Sequence, residues 1–165
     1  SVYDRPDLAL KYIKSVNDLN IDLDCGMVID KEASAAFEEA KEDGDKMSQL
    51  MYDQYFMMED YLMSNAKLEV AANVMVGGIM ESLFISTSQL LEVEMTSEAT
   101  SILYGQKQAI SDLIGVYKDM EGNESVIDAL VSVQAVFEKS SADFTKEDLE
   151  VLHGVVKAFH DEIAE

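Results

Sequence analysis

The sequence is poor in residues that interrupt helices and in residues that cross-link chains. Its 165 residues include one Pro, eight Gly, one Cys and no Trp. Pro and Gly disfavour helix most strongly, so their scarcity beside plentiful Ala, Leu, Met, Glu and Lys favours helix along the whole chain. The single Cys25 excludes an intrachain disulfide but leaves the redox compartment open.

Positive charge is also scarce. Twelve Lys and Arg stand against 33 Asp and Glu, which gives a formal net charge of -21. Nucleic-acid binding requires basic patches that displace counterions from phosphates, so we predict no nucleic-acid partner. The same shortage disfavours anionic membrane surfaces. An acidic surface keeps a protein soluble and can attract cations or a basic partner.

The length and the apolar pattern define the expected fold. A chain of 165 residues can bury a core without staples, and 48% hydrophobic residues is too many for a disordered chain. Apolar residues recur at helical spacing in most segments. We therefore predict an all-α, single-domain, up-and-down-like bundle of about six to seven helices that spans 1–165.

The segment 68–93 is the expected centre of this bundle. Its middle is apolar on nearly every side, and a helix with that composition is buried on every side. Gly77 and Gly78 lie inside it, where each Gly costs about 1 kcal/mol relative to Ala. We therefore predict that these two glycines mark the closest approach of neighbouring helices. Polar and acidic residues interrupt the apolar run, so we predict no transmembrane segment.

The flanking helices have less apolar, one-sided patterns. Met residues cluster in and around 47–80, and at helical spacing we interpret them as core rather than as a binding surface. Thr145 is predicted to cap the last helix, with Asp148 in the place of the capping-box Glu and Phe144 packing onto Leu149. The helices are expected over about 6–20, in the region ending near 41, and over 47–65, 97–120, 123–137 and 145–163.

Several polar side chains fall on otherwise apolar helix faces. They either line a polar pocket or hydrogen-bond one another to fix the helix register. The acid at position 81, one turn after the glycine pair, must find a partner or reach solvent. The candidate functional or buried polar residues are Glu81, Asn73, Gln106, Gln54 and His153, and Gln134 has the same pattern.

The histidines provide the strongest catalytic alternatives. Glu150 and His153 have the E-x-x-H spacing, but a di-iron bundle needs two such pairs, and Lys157 occupies the acidic position before His160. His153 followed by Lys157 resembles the H-x-x-K-G pattern of phosphotransfer domains, with the Lys one position late. A histidine phosphotransfer-like signalling domain centred on His153 is therefore one alternative function.

Other chemical motifs are incomplete. The stretch that begins at Asn20 supplies oxygen atoms like a calcium loop, but Cys25 replaces the required Gly and Lys31 replaces the bidentate Glu. Zinc spacing, a phosphate-binding loop and a Ser–His–acid arrangement are missing from the sequence. We therefore predict no catalytic residue, no metal site and no cofactor.

Three stretches carry a family resemblance. YDRPDLALKYIKSVNDLNID, VMVGGIMESLFISTSQL and ILYGQKQAISDLIGVY resemble an uncharacterised group of all-helical, predicted lipid-anchored envelope proteins of Gram-negative bacteria. The central helix of that group has a small-residue pair, a Glu, an aromatic and a Thr, which correspond here to Gly77, Gly78, Glu81, Phe84 and Thr87. The resemblance implies a helical bundle with an upstream signal and lipid-attachment Cys, and hence a periplasmic or outer-envelope location. It implies no activity.

The function expected from these observations is a non-catalytic helical-bundle binding or scaffolding protein of the bacterial envelope. The first alternative is the phosphotransfer-like domain. The second is a carrier of a small ligand or metal, with a pocket beside the central helix. The partner, whether protein or small molecule, the oligomeric state and a cytoplasmic location remain open at this point.

Overall fold

The computed structural model describes residues 6–22, 31–40 and 43–164, and it is helical almost throughout. The all-α helical bundle is confirmed, because these residues form no strand. The elements are α1 (Pro6–Asp22), α2 (Lys31–Ala40), α3 (Gly44–Ser64), α4 (Leu68–Leu91), α5 (Ser97–Tyr104), α6 (Lys107–Asp119), α7 (Glu124–Val136), a 3₁₀ turn (Ser141–Asp143) and α8 (Lys146–Ala164).

Side-chain caps fix the starts of α3, α5 and α7. Asp43, Thr96 and Asn123 each accept a hydrogen bond from a backbone N–H two or three residues later, at 2.9 to 3.2 Å. These bonds satisfy donors that the first turn of a helix leaves unpaired. Asp, Thr and Asn are residue types that favour this position.

The start of α8 is a complete capping box. The Asp148 backbone N–H donates to Thr145 Oγ1 at 3.3 Å, and the Thr145 backbone N–H donates to Asp148 Oδ2 at 3.0 Å. An Asp can therefore replace the usual Glu in this reciprocal arrangement. Phe144 and Leu149 are both buried in one core, as the predicted staple requires.

The helix predicted over 97–120 is in fact two helices. The Gly105 N–H donates to the carbonyl oxygens of Ser101 and Ile102 at 3.0 and 3.1 Å, which closes α5. The break separates the apolar stripe of α5 from that of α6. Ile102, which lies at helical spacing with the apolar residues of this segment, is 65% exposed.

The chain divides into two compact units, Ser1–Ala71 and Ala72–Glu165. The single domain stays a prediction, and each unit is described by itself. In the first unit, α2 packs against α3. Among the residues of this unit whose burial the structure describes, the buried apolar ones are Phe37, Ala40, Met47, Leu62 and Ala71.

The amphipathic stripes of the first unit are buried only in part. Met47 and Leu62 on α3 are buried, but Met51 between them is exposed. The prediction that the Met residues are core therefore holds for Met47 and fails for Met51. On α1, Tyr12 and Val16 lie on the apolar stripe and are also exposed.

The second unit has one continuous core. Helix α7 packs against both α6 and α8, and α5 packs against the 3₁₀ turn. Every helix of the unit contributes to the core except the short 3₁₀ turn. Its fully buried centre comprises Met80, Leu83, Ile110, Leu130, Val133, Phe137, Leu149, Leu152 and Val156.

Helix α4 buries one face rather than all sides, which corrects the expectation drawn from its composition. Val76, Leu83 and Thr87 lie on the buried face, whereas Leu68 and Ile85 are exposed. The helix is long and apolar enough to cross a membrane by length and composition, with a mean hydropathy of 1.5 over its best window. Only 28% of that window is buried. The absence of a transmembrane segment therefore stays a prediction.

The glycine pair of α4 does not mark a close helix contact. A Cβ atom built on Gly77 or Gly78 lies more than 4 Å from any neighbouring side chain or helix in the described part of the chain. Our prediction of closest approach at this pair is wrong, because both residues lie off the buried face, with Gly78 exposed.

Candidate functional site

An apolar groove lies between the last turns of α4 and helix α5. It has a volume of about 670 Å³. Leu103 forms part of its wall and is buried, whereas Ile102 and Val93 are exposed along it. Leu90 and Ala99 add to the apolar lining, and Ser86, Ser88, Gln89 and Glu92 supply the polar atoms.

The segment that forms this groove contains no positively charged residue. From Leu68 to Gln106 the sequence has no Lys, Arg or His. Glu92 lines the groove, Glu94 follows Val93 directly, and Glu98 precedes Ala99 directly. All three glutamates are exposed. The groove is therefore apolar along its wall and negatively charged where α4 passes into α5.

Another side of α4 contacts both histidines of the chain. The Phe84 ring stacks on His153 with centroids 5.7 Å apart and on His160 with centroids 4.3 Å apart. The two histidines are seven residues apart on α8, or roughly 10 Å along the helix axis. The Phe84 ring therefore lies between the two histidine rings, which are about two turns apart on α8. This pairing fixes how α4 and α8 pack.

His153 is held by a buried hydroxyl. Thr87 Oγ1 lies 3.1 Å from His153 Nδ1 and 2.7 Å from the carbonyl oxygen of Leu83. A hydroxyl has one proton, and the shorter contact takes it, so Thr87 donates to Leu83. His153 Nδ1–H then donates to Thr87. The hydroxyl thus positions the imidazole, which is half-buried.

His160 and Glu81 form the exposed end of this contact. His160 Nε2 lies 3.4 Å from Glu81 Oε2, and the Glu81 side chain is about half exposed. Glu81 therefore both finds a partner and reaches solvent. His160 Nδ1 lies 3.6 Å from Asp161 Oδ1, which is too long for a hydrogen bond. A hydrogen bond from Lys157 lowers the pKa of Asp161.

The remaining predicted polar residues are dispersed. The Tyr117 hydroxyl donates to Asn73 Oδ1, which links α6 to α4. Gln54 Nε2 lies 3.9 Å from Met57 Sδ within α3. Gln106 directly precedes α6, at the N-cap position, and its side chain makes no capping hydrogen bond there. These residues neither line one polar pocket nor bond one another. Asn73 with Tyr117 alone fits the predicted register role.

The metal and thiol candidates are separated from one another or lie outside the described residues. Cys25 and most of the calcium-like loop fall in 23–30, which the structure does not describe. Within the described ranges, no three His, Cys, Asp or Glu side chains converge as metal ligands do. His153 and His160 are divided by the Phe84 ring rather than directed at a common point.

Comparisons of the chain with protein-family models, with curated proteins and with solved structures give no match. The resemblance to envelope proteins therefore stays an expectation. Sequence reasoning identified Glu81, Phe84, Thr87 and the histidines, but it did not identify the groove. The cation-free stretch from Leu68 to Gln106 indicates the charge of this region but not its shape.

Proposed function

We propose that the protein is a non-catalytic helical-bundle binding module that holds a segment of a partner protein in the α4–α5 groove. The observation that supports this proposal is the groove itself, with its apolar wall and its exposed Ile102 and Val93. Apolar side chains exposed along a concave surface are typical of protein-binding sites. No nucleophile in the lining is paired with a base, so the groove supports binding rather than catalysis.

A protein segment suits the groove better than a small molecule does. Pockets for small ligands bury about 70–90% of the ligand surface. The α4–α5 groove is open along one side, with Ile102 65% exposed, so it covers only one face of an occupant. A helix that presents one apolar face needs no more cover than that.

The alternative functions have weaker support. A phosphotransfer site needs an accessible His with a free cation nearby, but His153 is half-buried against Phe84 and Lys157 is bound by Asp161. The ligand carrier was expected to have a pocket beside the central helix; the groove does lie beside α4, but it is open along one side and Asn73, Glu81 and Gln106 are not in its lining.

The test uses the absence of Trp in the chain. A synthetic helical peptide with an apolar face and one central Trp is titrated with the full chain, and indole fluorescence reports burial of the Trp. We expect saturable binding that Ile102→Glu weakens at least tenfold, because the change puts a charge on the groove wall. The matched control is Ile163→Glu on α8, where the side chain is 61% exposed and lies outside the groove.

Two outcomes contradict the proposal. One is the absence of saturable binding by apolar peptides at any accessible concentration. The other is equal weakening by Ile102→Glu and Ile163→Glu, which would place the contact elsewhere or reveal a general charge effect. Circular dichroism of both variants verifies that each remains folded.

We also propose that the module acts in the bacterial envelope, which rests on the family resemblance alone. The expected result is that the product of the complete gene fractionates with the envelope and incorporates labelled fatty acid. Recovery in the cytoplasmic fraction without lipid would contradict this location and would leave the binding proposal intact.

A further inference from the structure

We infer that the partner segment is a basic amphipathic helix, with Lys or Arg residues flanking its apolar face. This inference rests on the proposed function and adds the charge of the partner. It comes from the acidic residues around the groove, which form no ion pair with the cations in the described part of the chain.

The charge at the groove is one-sided. Glu92 lines the groove, and Glu94 and Glu98 each adjoin a lining residue in the sequence. No cation in the described part of the chain forms an ion pair with any of the three. Three exposed carboxylates close in sequence repel one another and favour a cationic neighbour.

Elsewhere in the same unit, carboxylates do find lysines. Lys139 Nζ lies 2.6 Å from Asp148 Oδ1, and Lys157 pairs with Asp161. These pairs belong to the capping turn and the exposed side of α8, outside the groove. These two lysines therefore neutralise carboxylates on other elements. At the groove, the negative charge remains available to a partner.

The apolar wall determines the shape of the partner. Ile102, Val93 and Leu90 offer contacts that one helix face can meet with apolar residues at spacings of three, four and seven. Cations that flank this face would lie near the glutamates at the α4–α5 junction. A basic amphipathic helix can place its apolar face against the groove wall and its cations beside the glutamates. An acidic helix would instead bring like charges together.

The experiment compares three peptides with the same apolar face and central Trp but with Lys, Gln or Glu at the flanking positions. At low ionic strength we expect the Lys peptide to bind the full chain at least tenfold more tightly than the Glu peptide, with the Gln peptide between them. At about 0.5 M salt the difference should fall severalfold, because screening shortens the range of exposed charges.

Protein variants assign the effect to the groove. Replacing Glu92, Glu94 and Glu98 by Gln should weaken the Lys peptide about five- to tenfold and leave the Gln peptide unchanged, as expected for exposed ion pairs. The control replaces Glu138, Glu150 and Glu162 by Gln. These residues are exposed on other elements, and the control removes the same number of charges.

The outcomes separate this inference from the proposed function. If the Gln peptide binds as tightly as the Lys peptide, the groove has no charge preference and the inference fails while the function stands. If both triple variants weaken the Lys peptide equally, the attraction is a property of the whole acidic protein and the assignment to the groove fails. If no peptide binds, the proposed function fails.

Discussion

Thr87 shows how one buried hydroxyl links two helices. Its Oγ1 lies within hydrogen-bonding distance of the Leu83 carbonyl oxygen on its own helix and of His153 Nδ1 on α8. The residue is completely buried. Loss of the Thr87 hydroxyl would leave His153 Nδ1–H without an acceptor, and that penalty exceeds the net benefit of the bond itself.

We predict that Thr87→Val lowers the free energy of unfolding by about 1–2 kcal/mol, because Val keeps the shape but leaves His153 Nδ1 without its acceptor. Urea denaturation measures the change. Thr100→Val is the matched control, because Thr100 is buried and its hydroxyl donates only to the Thr96 carbonyl oxygen. In the background of His153→Leu, Thr87→Val should cost less. Equal costs in both backgrounds would show that the two side chains are not coupled.

Asp148 gives the second prediction at this scale. Hydrogen bonds from the Lys139 ammonium, then from the Thr145 backbone N–H and hydroxyl, lower the pKa of Asp148 to about 2. A lowered folded-state pKa stabilises the fold fully above the ordinary value of 3.8 and loses this effect as the pH falls toward 2. Asp148→Asn should therefore destabilise the protein at neutral pH.

The measurement is the urea midpoint of wild type and Asp148→Asn between pH 2 and 5. The difference between the two proteins should shrink as the pH falls from about 4 to about 2. Asp128→Asn, at an exposed position on α7, controls for the loss of a carboxylate. A difference that persists undiminished at the lowest pH would show that the cap does not require ionised Asp148.

At the scale of elements, the positions of the helices were largely predictable from the sequence. Which apolar side chains of those helices are buried was not. Caps such as Asp43 and Thr145 depend on local chemistry that the sequence contains. Whether an apolar residue is buried depends on what packs against it. Met51 and Ile102 fit helical stripes but remain exposed, because no neighbouring helix covers them within the described residues.

The glycines of α4 give a prediction at this scale. Gly78→Ala should stabilise the protein by about 0.5–1 kcal/mol, because Ala favours the helix and its Cβ meets open space. Gly122→Ala should destabilise it, because a Cβ there would lie 2.8 Å from Cδ1 of the buried Tyr117 ring. Chemical denaturation of both variants compares the two sites. Destabilisation by Gly78→Ala would mean that another chain packs closely on that face.

The candidate site illustrates the same limit. The histidines and Glu81 were identifiable as residue types, but their meeting around Phe84 depends on the packing of α8 against α4. The groove forms only because α5 folds back beside the end of α4, and the junction residues that permit this have no distinctive motif. Periodicity is a local signal, so it does not determine which stripes meet.

At the scale of the whole molecule, apolar burial is unevenly distributed. The continuous core lies entirely within Ala72–Glu165, whereas the described residues of Ser1–Ala71 include few that are buried. A domain's stability scales with the apolar surface that it buries. The prediction of one domain rests on the length and the apolar pattern of the whole chain, which average over this difference.

We predict that a fragment of residues 68–165, which retains all of α4, folds alone with helical circular dichroism and a cooperative thermal transition. A fragment of residues 1–67 should be less helical per residue and should unfold without a sharp transition, because its buried cluster is small. A non-cooperative 68–165 fragment would instead support the single-domain prediction.

The stacking of both imidazoles on Phe84 has a spectroscopic consequence. Protons held over the face of an aromatic ring are shielded by its ring current, and the chain has only two histidines. In the proton NMR spectrum, the imidazole protons of both histidines should therefore have chemical shifts moved by this shielding. Both shifts should be sensitive to how α8 packs against α4. Because α4 also forms a wall of the groove, these signals can report without any label whether occupancy on one side of the helix is felt on the other.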